Sequence, residues 1–521
     1  MSLNAPNRNG FPATGDTIYA LSTGAGRAGI AVIRISGPSS LDIYRALCPG
    51  KKLPKPRFAA VRSLYRPSDL SDTVCLDILD SEALIIHFPS PSTVTGEAVL
   101  ELHVHGGPAT VKAVLAAIPK VKADSRIRYA EPGEFTKRAF INDRLDLAQI
   151  ESLSDTLAAE TEQQRRAAVR GNSGKLGRTY ENWRQQLLLA RGEIEALIDF
   201  SEDQHFDESQ SELLANVTAQ VSDILQGIEL HEQGSQRSEL LRNGIRIALL
   251  GPPNAGKSSL MNLIVGREAS IVSGEAGTTR DIVEASLDMR GYLCSFADTA
   301  GFRTRQHDGD SNGMSKIEEE GIRRAKRKAK DSDVVVVLAS IESKAGEEVI
   351  QFDEETLDLA AEAQSRLIVV NKRDATDADR LQTLLEDFQK KLDRHGPVLG
   401  KAEVLTISCM EAQSSTRGHN DSGGLQALVN SLSTTFSTMT EMPVDMQDLL
   451  GVTERQRQLL VKCRDHLSDF MNEAQPADDG SDADPVLAAE YLRYAANCLA
   501  RITGKGEAGD VEDVLGVVFE K

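Results

Sequence analysis

Residues 246–263, "RIALLGPPNAGKSSLMNL", set an apolar strand, a glycine-bounded loop and a helix-compatible run end to end. The stretch Gly251 to Ser258 fits G-x-x-x-x-G-K-S/T. This spacing has a physical purpose. Glycines at both ends let successive backbone N–H groups turn inward on phosphate oxygens, the lysine reaches the β/γ-phosphates, and the hydroxyl that follows it binds Mg²⁺. A loop of this kind sits between a strand of a parallel sheet and the helix that covers it, so the motif constrains the fold around it. The expected phosphate-loop residues are Asn254, Ala255, Gly256, Lys257, Ser258 and Ser259, with Ser258 as a Mg²⁺ ligand.

Three further motifs follow in order, each at the end of a short apolar run. "DTAG", Asp298, Thr299, Ala300 and Gly301, comes after "YLCSFA". An Asp there can hold Mg²⁺ through water, and the Gly amide can touch a γ-phosphate. "NKRD" comes after "RLIVV" and supplies Asn371, Lys372 and Asp374. Asp374 can accept from guanine N1–H and the exocyclic amine, a donor pair that adenine lacks. "SC", Ser408 and Cys409, ends "VLTI", where a backbone amide can meet guanine O6. Between the first two motifs lies "GTTRD", whose Thr279 is placed to close over Mg²⁺ when a third phosphate is present. Each match is ordinary alone. Four in order, each at a strand end, define a GTPase domain.

The rest of the chain limits what that domain serves. With 521 residues, two to four domains are expected. The formal net charge of −19 excludes a general nucleic-acid coat, though not a local basic face. Cys48, Cys75, Cys294, Cys409, Cys463 and Cys498 are scattered without a C-x-x-C pair, which argues against a zinc site or disulfide framework. No apolar run reaches membrane-spanning length, so no membrane partner is expected. The N-terminus reads as neither signal peptide nor Arg-rich transit segment.

Periodicity divides the chain. From about 17 to 140, short β-type runs such as "IAVIRIS" (30–36), "EALIIHF" (82–88) and "VLELHVHGG" (99–107) mix with helical stretches. After Asn142 the pattern turns helical to about 240, with Trp183, Leu187, Ala190, Ile194, Leu197 and Ile198 on one face. Strands alternate with helices from Arg246, and the chain is helical again after about 435. The fold class expected is multidomain α/β plus α. An N-terminal α+β domain spans 1–140, a discontinuous helical domain spans 141–240 and 435–521, and a P-loop GTPase domain with a mainly parallel sheet is inserted at 241–434.

Hydrolysis needs a group that orients water and one that neutralises charge. Ras-like proteins use a Gln just after D-x-x-G and an Arg finger. Here Phe302 follows Gly301. A monovalent cation held by Asn254 and the neighbouring switch loop could replace the Arg.

"GPPNAGKSSLMNLIVGREASIVSGEAGTTRDIVE", "DTAGFR", "IEEEGIRRA" and "NKRD" closely resemble the tRNA-modification GTPase family MnmE, also called TrmE. "GRAGIAVIRISGPS", "TVTGEAVLELHVHGGP", "RYAEPGEFTKRAFINDRLDLAQIESLSDTLAA" and "LIDFSED" extend the resemblance over nearly the whole chain. The resemblance implies a homodimer with an N-terminal folate-binding domain, and a partnership with the FAD protein MnmG. Together they would modify carbon 5 of the wobble uridine of certain tRNAs, taking a one-carbon unit from a tetrahydrofolate (the 5-formyl or 5,10-methylene form). GTP hydrolysis would depend on K⁺, through G domains that pair across the dimer. Residue by residue, it implies K⁺ at Asn254, Ser273, Glu275 and Thr278, and Mg²⁺ at Ser258 and Thr279. Glu318 matches the family's water-orienting catalytic Glu, with Glu319 and Glu320 beside it in a switch region lengthened by "RTRQHDGDSNG". For folate it implies Arg34, Glu101 and Arg144, the last standing where the family usually has Lys. The family ends in a tail close to "FCIGK" that belongs to the folate site, whereas this chain stops at "VLGVVFEK". Cys463 and Cys498, on expected helices, read as core thiols.

A second reading, from the motifs alone, is a GTP switch that assembles an RNA or ribosomal complex without chemistry. The basic run "RRAKRKAK" (323–330) reads as a solvated helix face rather than an RNA contact. "GPPNAGKSSL" is closer to the mitochondrial members than to the bacterial ones, which places the chain in the mitochondrial matrix, with a bacterial cytoplasm as the alternative.

Overall fold

The computed structural model of the chain describes residues 15–67, 77–200, 210–273, 286–297, 329–344, 346–414, 423–475 and 484–505, with residues 327 and 421. These fall into two compact units. One draws on Met1–Glu151, Gly174–Leu225 and Gln458–Lys521, the other on Ser152–Ser173 and Gln226–Arg457.

The first unit carries a six-stranded sheet. Its strands are β1 (Thr17–Leu21), β2 (Ile30–Ser36), β3 (Ala60–Tyr65), β4 (Ile78–Phe88), β5 (Val99–His105) and β6 (Ile127–Tyr129), in the order β3-β4-β5-β2-β1-β6. All pairs are antiparallel except β1 with β6. The alternation in β2 and β5 decides which face is covered. Ile33, Ile35, Leu100, Leu102 and Val104 pack into one core with Ile43, Tyr44 and Leu47 of the helix Ser40–Leu47 and Val111 and Val114 of the helix Pro108–Ala117. Arg34, Glu101 and His103 alternate onto the other face. The strand expected at 82–88 starts four residues earlier, at Ile78, because β3 extends its ladder, pairing Leu64 with Asp80 and Tyr65 with Ile78.

The helical stretch expected from 142 onward forms as Leu147–Ala158, Glu162–Gly171, Lys175–Phe200 and Gln210–Asn243. In the helix Lys175–Phe200, the apolar stripe Leu187, Ala190 and Ile194 is buried, and this helix packs along Pro485–Thr503 within the first unit. The latter starts with Asp484 capping the amides of Val486 and Leu487 and ends at Gly504 in the left-handed region. Cys463 and Cys498 are both buried.

The second unit carries the other sheet. Its strands are β7 (Ile245–Leu250), β8 (Ser270–Ser273), β9 (Ser286–Met289), β10 (Tyr292–Phe296), β11 (Val334–Lys344), β12 (Glu347–Gln351), β13 (Ser365–Asn371) and β14 (Val404–Thr406). The order is β14-β13-β11-β7-β10-β9-β8, with β12 paired to β11. Strands β14, β13, β11, β7 and β10 are parallel, while β8, β9 and β12 join antiparallel. Continuous apolar runs suit parallel strands covered on both faces. Val335, Val337, Ile368 and Val370 accordingly pack with Leu357, Phe388 and Leu392 of the helices Glu354–Glu362 and Ala378–Arg394. In a sheet of this kind the carboxyl ends of the strands open onto the ligand crevice.

Candidate GTP site and a separate polar sheet face

The loop after β7 is shaped by backbone geometry that its residue types allow. Gly251 has φ +148° and Gly256 φ +100°, and a Cβ on either would lie 2.1 Å from Leu338 O or 2.2 Å from Asn371 Nδ2. Asn254 takes φ +63°, a left-handed conformation that Asn tolerates better than other non-glycine residues. It is exposed at the loop tip, as are Ser258 and Ser259 in the first turn of the helix Lys257–Leu263, while Ala255 is buried. The loop thus forms a cradle in which any larger residue at the glycine positions collides.

Lys257 lies beneath this loop. Its Nζ donates to the carbonyls of Gly251 (2.7 Å) and Pro252 (2.8 Å). Burial pulls its ammonium down to about 8, against the opposing charge of Asp353. A desolvated cation closed in by carbonyl oxygens gains from a bound anion, so the site suits phosphate.

Asn371, the last residue of β13, joins the loop to the next motif. It is 2% exposed. Its Nδ2 donates to Ala255 O at 2.8 Å, and its Oδ1 accepts from Cys409 N at 3.2 Å. Ser408, fully buried, accepts on Oγ from Glu411 N at 3.0 Å and so fixes the turn into the helix Cys409–Ser414. Burial pushes the Cys409 thiol up to about 11, which keeps it protonated. Lys372 has φ +64° and pairs with Glu342. Asp374 sits in a 3₁₀ turn with no hydrogen-bond or ion-pair partner among the described residues, leaving both carboxylate oxygens for a ligand. The structure therefore brings together the loop 251–258, Asn371, Lys372, Asp374 and the turn at 408–409, at the carboxyl ends of β7, β13 and β14. Glu275, Thr278, Thr279, Asp298, Thr299, Ala300, Gly301 and Glu318 lie outside the described residues; Ser273 ends β8.

The folate residues expected from the resemblance are divided. Arg34 and Glu101 are cross-strand partners in the β2–β5 register. They pair with each other, Nη2 to Oε1 at 2.9 Å and Nε to Oε1 at 3.0 Å. Glu101 Oε2 faces His103 Nε2 at 3.4 Å. The donor types fit a carboxylate-bearing pterin, but a ligand has to share or displace the pair. Arg144 gives Nε to Thr93 O at 2.9 Å and lines a cavity of about 750 Å³ with Arg178, Glu181, Arg184 and Lys505. Arg34 and Glu101 are not among the residues lining that cavity.

Sequence reasoning did not single out the ion cluster of the first unit. Arg138, from "PGEFTKRAF", is 2% exposed and donates to Asp16 Oδ1 (2.8 Å), Glu97 Oε2 (3.0 Å) and Glu134 Oε1 (3.0 Å). Arg128 joins it on Asp16 and Glu134. Glu342 was also missed. An apolar run that continues past the usual strand length was its only sequence signal.

A phosphate-loop fold with a guanine-type motif at its strand ends defines a P-loop GTP-binding protein. Residues 17–144 match the family described as GTP-binding protein TrmE N-terminus, and residues 147–521 match the MnmE helical domain. The 5-taurinomethyluridine-[tRNA] synthase subunit GTPB3, mitochondrial, of Danio rerio is 35% identical over 517 residues, 98% of this chain and 93% of the relative. The tRNA modification GTPase MnmE of Parvibaculum lavamentivorans is 38% identical over 506 residues, 97% of this chain and 98% of the relative. The tRNA modification GTPase mss1, mitochondrial, of Schizosaccharomyces pombe is 35% identical over 510 residues, 97% and 94%. The chain belongs to the MnmE/TrmE family of tRNA-modification GTPases, and is a GTP hydrolase of tRNA modification.

Proposed function

We propose that this chain is a K⁺-activated GTPase that works with an MnmG-type FAD protein to modify carbon 5 of the wobble uridine of certain tRNAs. The one-carbon unit would come from a tetrahydrofolate. The observation that supports the GTP half best is Asn371, whose side chain ties Ala255 of the phosphate loop to Cys409 of the guanine-side turn. Lys257 and the loop amides hold the phosphates, Ser258 and Thr279 bind Mg²⁺, and Asp374 reads guanine. Asn254, exposed at the loop tip, supplies the side-chain ligand to K⁺, with Ser273, Glu275 and Thr278 completing the site. Glu318 orients the attacking water. The active form is a homodimer. Nearly full-length similarity to tRNA-modification GTPases supports the reaction, and the mitochondrial relatives support a mitochondrial matrix setting.

For folate, Arg34 opens its pair with Glu101 to take a carboxylate, Glu101 turns to the amide and amine edge of the pterin, and Arg144 adds a cation from the cavity wall. The proposed domains are 1–140 (folate and dimer), 141–240 with 435–521 (helical), and 241–434 (G domain).

The decisive assay compares GTP hydrolysis in K⁺ and Na⁺ at equal ionic strength. K⁺ should accelerate the wild type and leave Asn254→Ala unchanged. Equal rates in the two salts for the wild type would overturn the cation assignment. Calorimetry with 5-formyl-tetrahydrofolate tests the other half, since Arg34→Ala and Glu101→Ala should each abolish the binding heat.

A further inference from the structure

Strand β11 is longer than its parallel neighbour. Register sets Ser340 opposite Asn371, the last residue of β13, and β11 then continues to Lys344 paired only with β12. The overshoot carries Glu342 past the carboxyl edge of the sheet, beside the loop that holds "NKRD". Glu342 accepts a hydrogen bond from Lys372 Nζ and another from the buried Ser340 Oγ at 3.1 Å. On β12, the Glu348 carboxylate accepts from Thr376 Oγ1, and its backbone carbonyl accepts from Arg380 Nη2 at 3.4 Å. The loop 372–376 is thus tied to the hairpin on both flanks, and Asp374 stands between the two ties.

We propose that the β11–β12 hairpin is a strap that positions the guanine-reading loop, with Glu342 the positioning residue that fixes the Lys372 side chain in the loop that carries Asp374. The inference rests on the reading of "NKRD" as a guanine site. A lysine side chain has four rotatable bonds, and fixing it in advance removes an ordering penalty from ligand binding. A lone exposed ion pair would contribute little. Here the acceptor is shared with a buried hydroxyl, and a second tie from the same hairpin grips the same loop. The lysine backbone is itself fixed in the left-handed region at φ +64°, so both ends of the side chain are set. Glu342 acts on the site only through Lys372, which makes them a coupled pair.

The test titrates the full chain with a fluorescent GDP analogue. Glu342→Gln and Lys372→Met should each weaken binding about threefold, the size expected of a partly exposed pair. The double variant should be no weaker than Lys372→Met alone. Asp374→Asn tests the underlying site separately, because it exchanges an acceptor for a donor and should shift preference from guanine to xanthine nucleotides. If Asp374→Asn keeps the guanine preference, the site reading fails. If it switches while Glu342→Gln binds like wild type, or while the double variant shows the product of the single losses, the strap is overturned. Should Glu342→Gln lower the melting temperature without nucleotide, Thr376→Val, at the other tie, is measured instead, with a threefold loss expected and wild-type binding counting against the proposal.

Discussion

Replacing Asn371 by alanine removes a side chain that joins the phosphate loop to the guanine-side turn. Two main-chain groups lose their partner, Ala255 O (2.8 Å) and Cys409 N (3.2 Å). Ala255 is fully buried, so its orphaned carbonyl costs about 1–3 kcal/mol. The longer bond to the half-buried Cys409 amide adds roughly 1 kcal/mol. The sum, about 2–4 kcal/mol, reaches the binding constant only if free and bound states differ in how they bear it. They do differ, because a loop released from Asn371 can relax when empty and must be re-formed around phosphate. The upper limit on the affinity loss is then on the order of 30- to 900-fold. Calorimetric titration with GDP reads it, and a thermal melt without nucleotide reads the part that remains as lost stability. Asn371→Asp sharpens the test. It keeps the acceptor for Cys409 N but sets an oxygen against Ala255 O, so it should bind GDP as poorly as alanine. Wild-type affinity in Asn371→Asp, or an alanine variant within threefold of wild type and with an unchanged melt, would refute the bridging role.

Two other perturbations test the ionisable groups. Lys257→Met should lose nucleotide binding while removing a pH-dependent penalty. The folded-state pKa of Lys257 lies near 8 and its ordinary value at 10.5, so the unfolded chain holds more protons between them. Wild-type stability without nucleotide should rise with pH across that window, and urea unfolding at pH 8 and pH 10 should show a smaller rise in Lys257→Met. Arg138→Met should lower stability by about 3–5 kcal/mol at pH 7, since it removes a buried guanidinium, strips Glu97 of its ion pair and leaves Asp16 and Glu134 to Arg128 alone. Burial raises the pKa values of Asp16 and Glu134, but Arg128 and Arg138 outweigh it and hold both below their ordinary values. Their contribution is therefore full above about pH 4.5 and fades as pH falls through the lowered values, so the difference between wild type and variant should shrink in acid. An undiminished difference at pH 3 would sink this account.

The parallel strands β7, β10, β11, β13 and β14 were legible because each is a short apolar run, four of them leading into a motif, and in β7, β11 and β13 burial on both faces leaves no alternation to misread. Strand β2 was legible to the residue for a different reason, since one covered face imposes a period of two on "IAVIRIS". Strands β1, β3, β6, β8, β9 and β12 were not read. "AVRSLY" and "EEVIQ" carry too few apolar residues to signal a strand alone, and they form because β4 and β11 offer them a ladder. The same limit applies to the site. Gly251, Lys257 and Asp374 sit at fixed spacings within short motifs, so sequence marks them. Glu342 enters through the register of β11 against β13, a long-range relation that no local spacing encodes.

The arginines of the first unit show why motif specificity and ligand capacity are different properties. "PGEFTKRAF" is the stretch that most sharply marks the family resemblance, and its Arg138 invites a ligand role. Yet both terminal nitrogens of Arg138 are engaged by Asp16, Glu97 and Glu134, and the side chain is 2% exposed. A guanidinium so committed closes the fold, and its one unpartnered donor, Nε, is itself buried out of reach of an anion. Arg34 is held by one carboxylate and its side chain is 28% exposed. Arg144 gives only Nε to the fold and lines an open cavity. An arginine can recruit a ligand only with accessible donors that the fold has not used. By that measure Arg34 and Arg144 have binding capacity, and Arg138 fixes the helix Glu134–Ile141 against β1 and the turn before β5, the framework on which both of the others are placed.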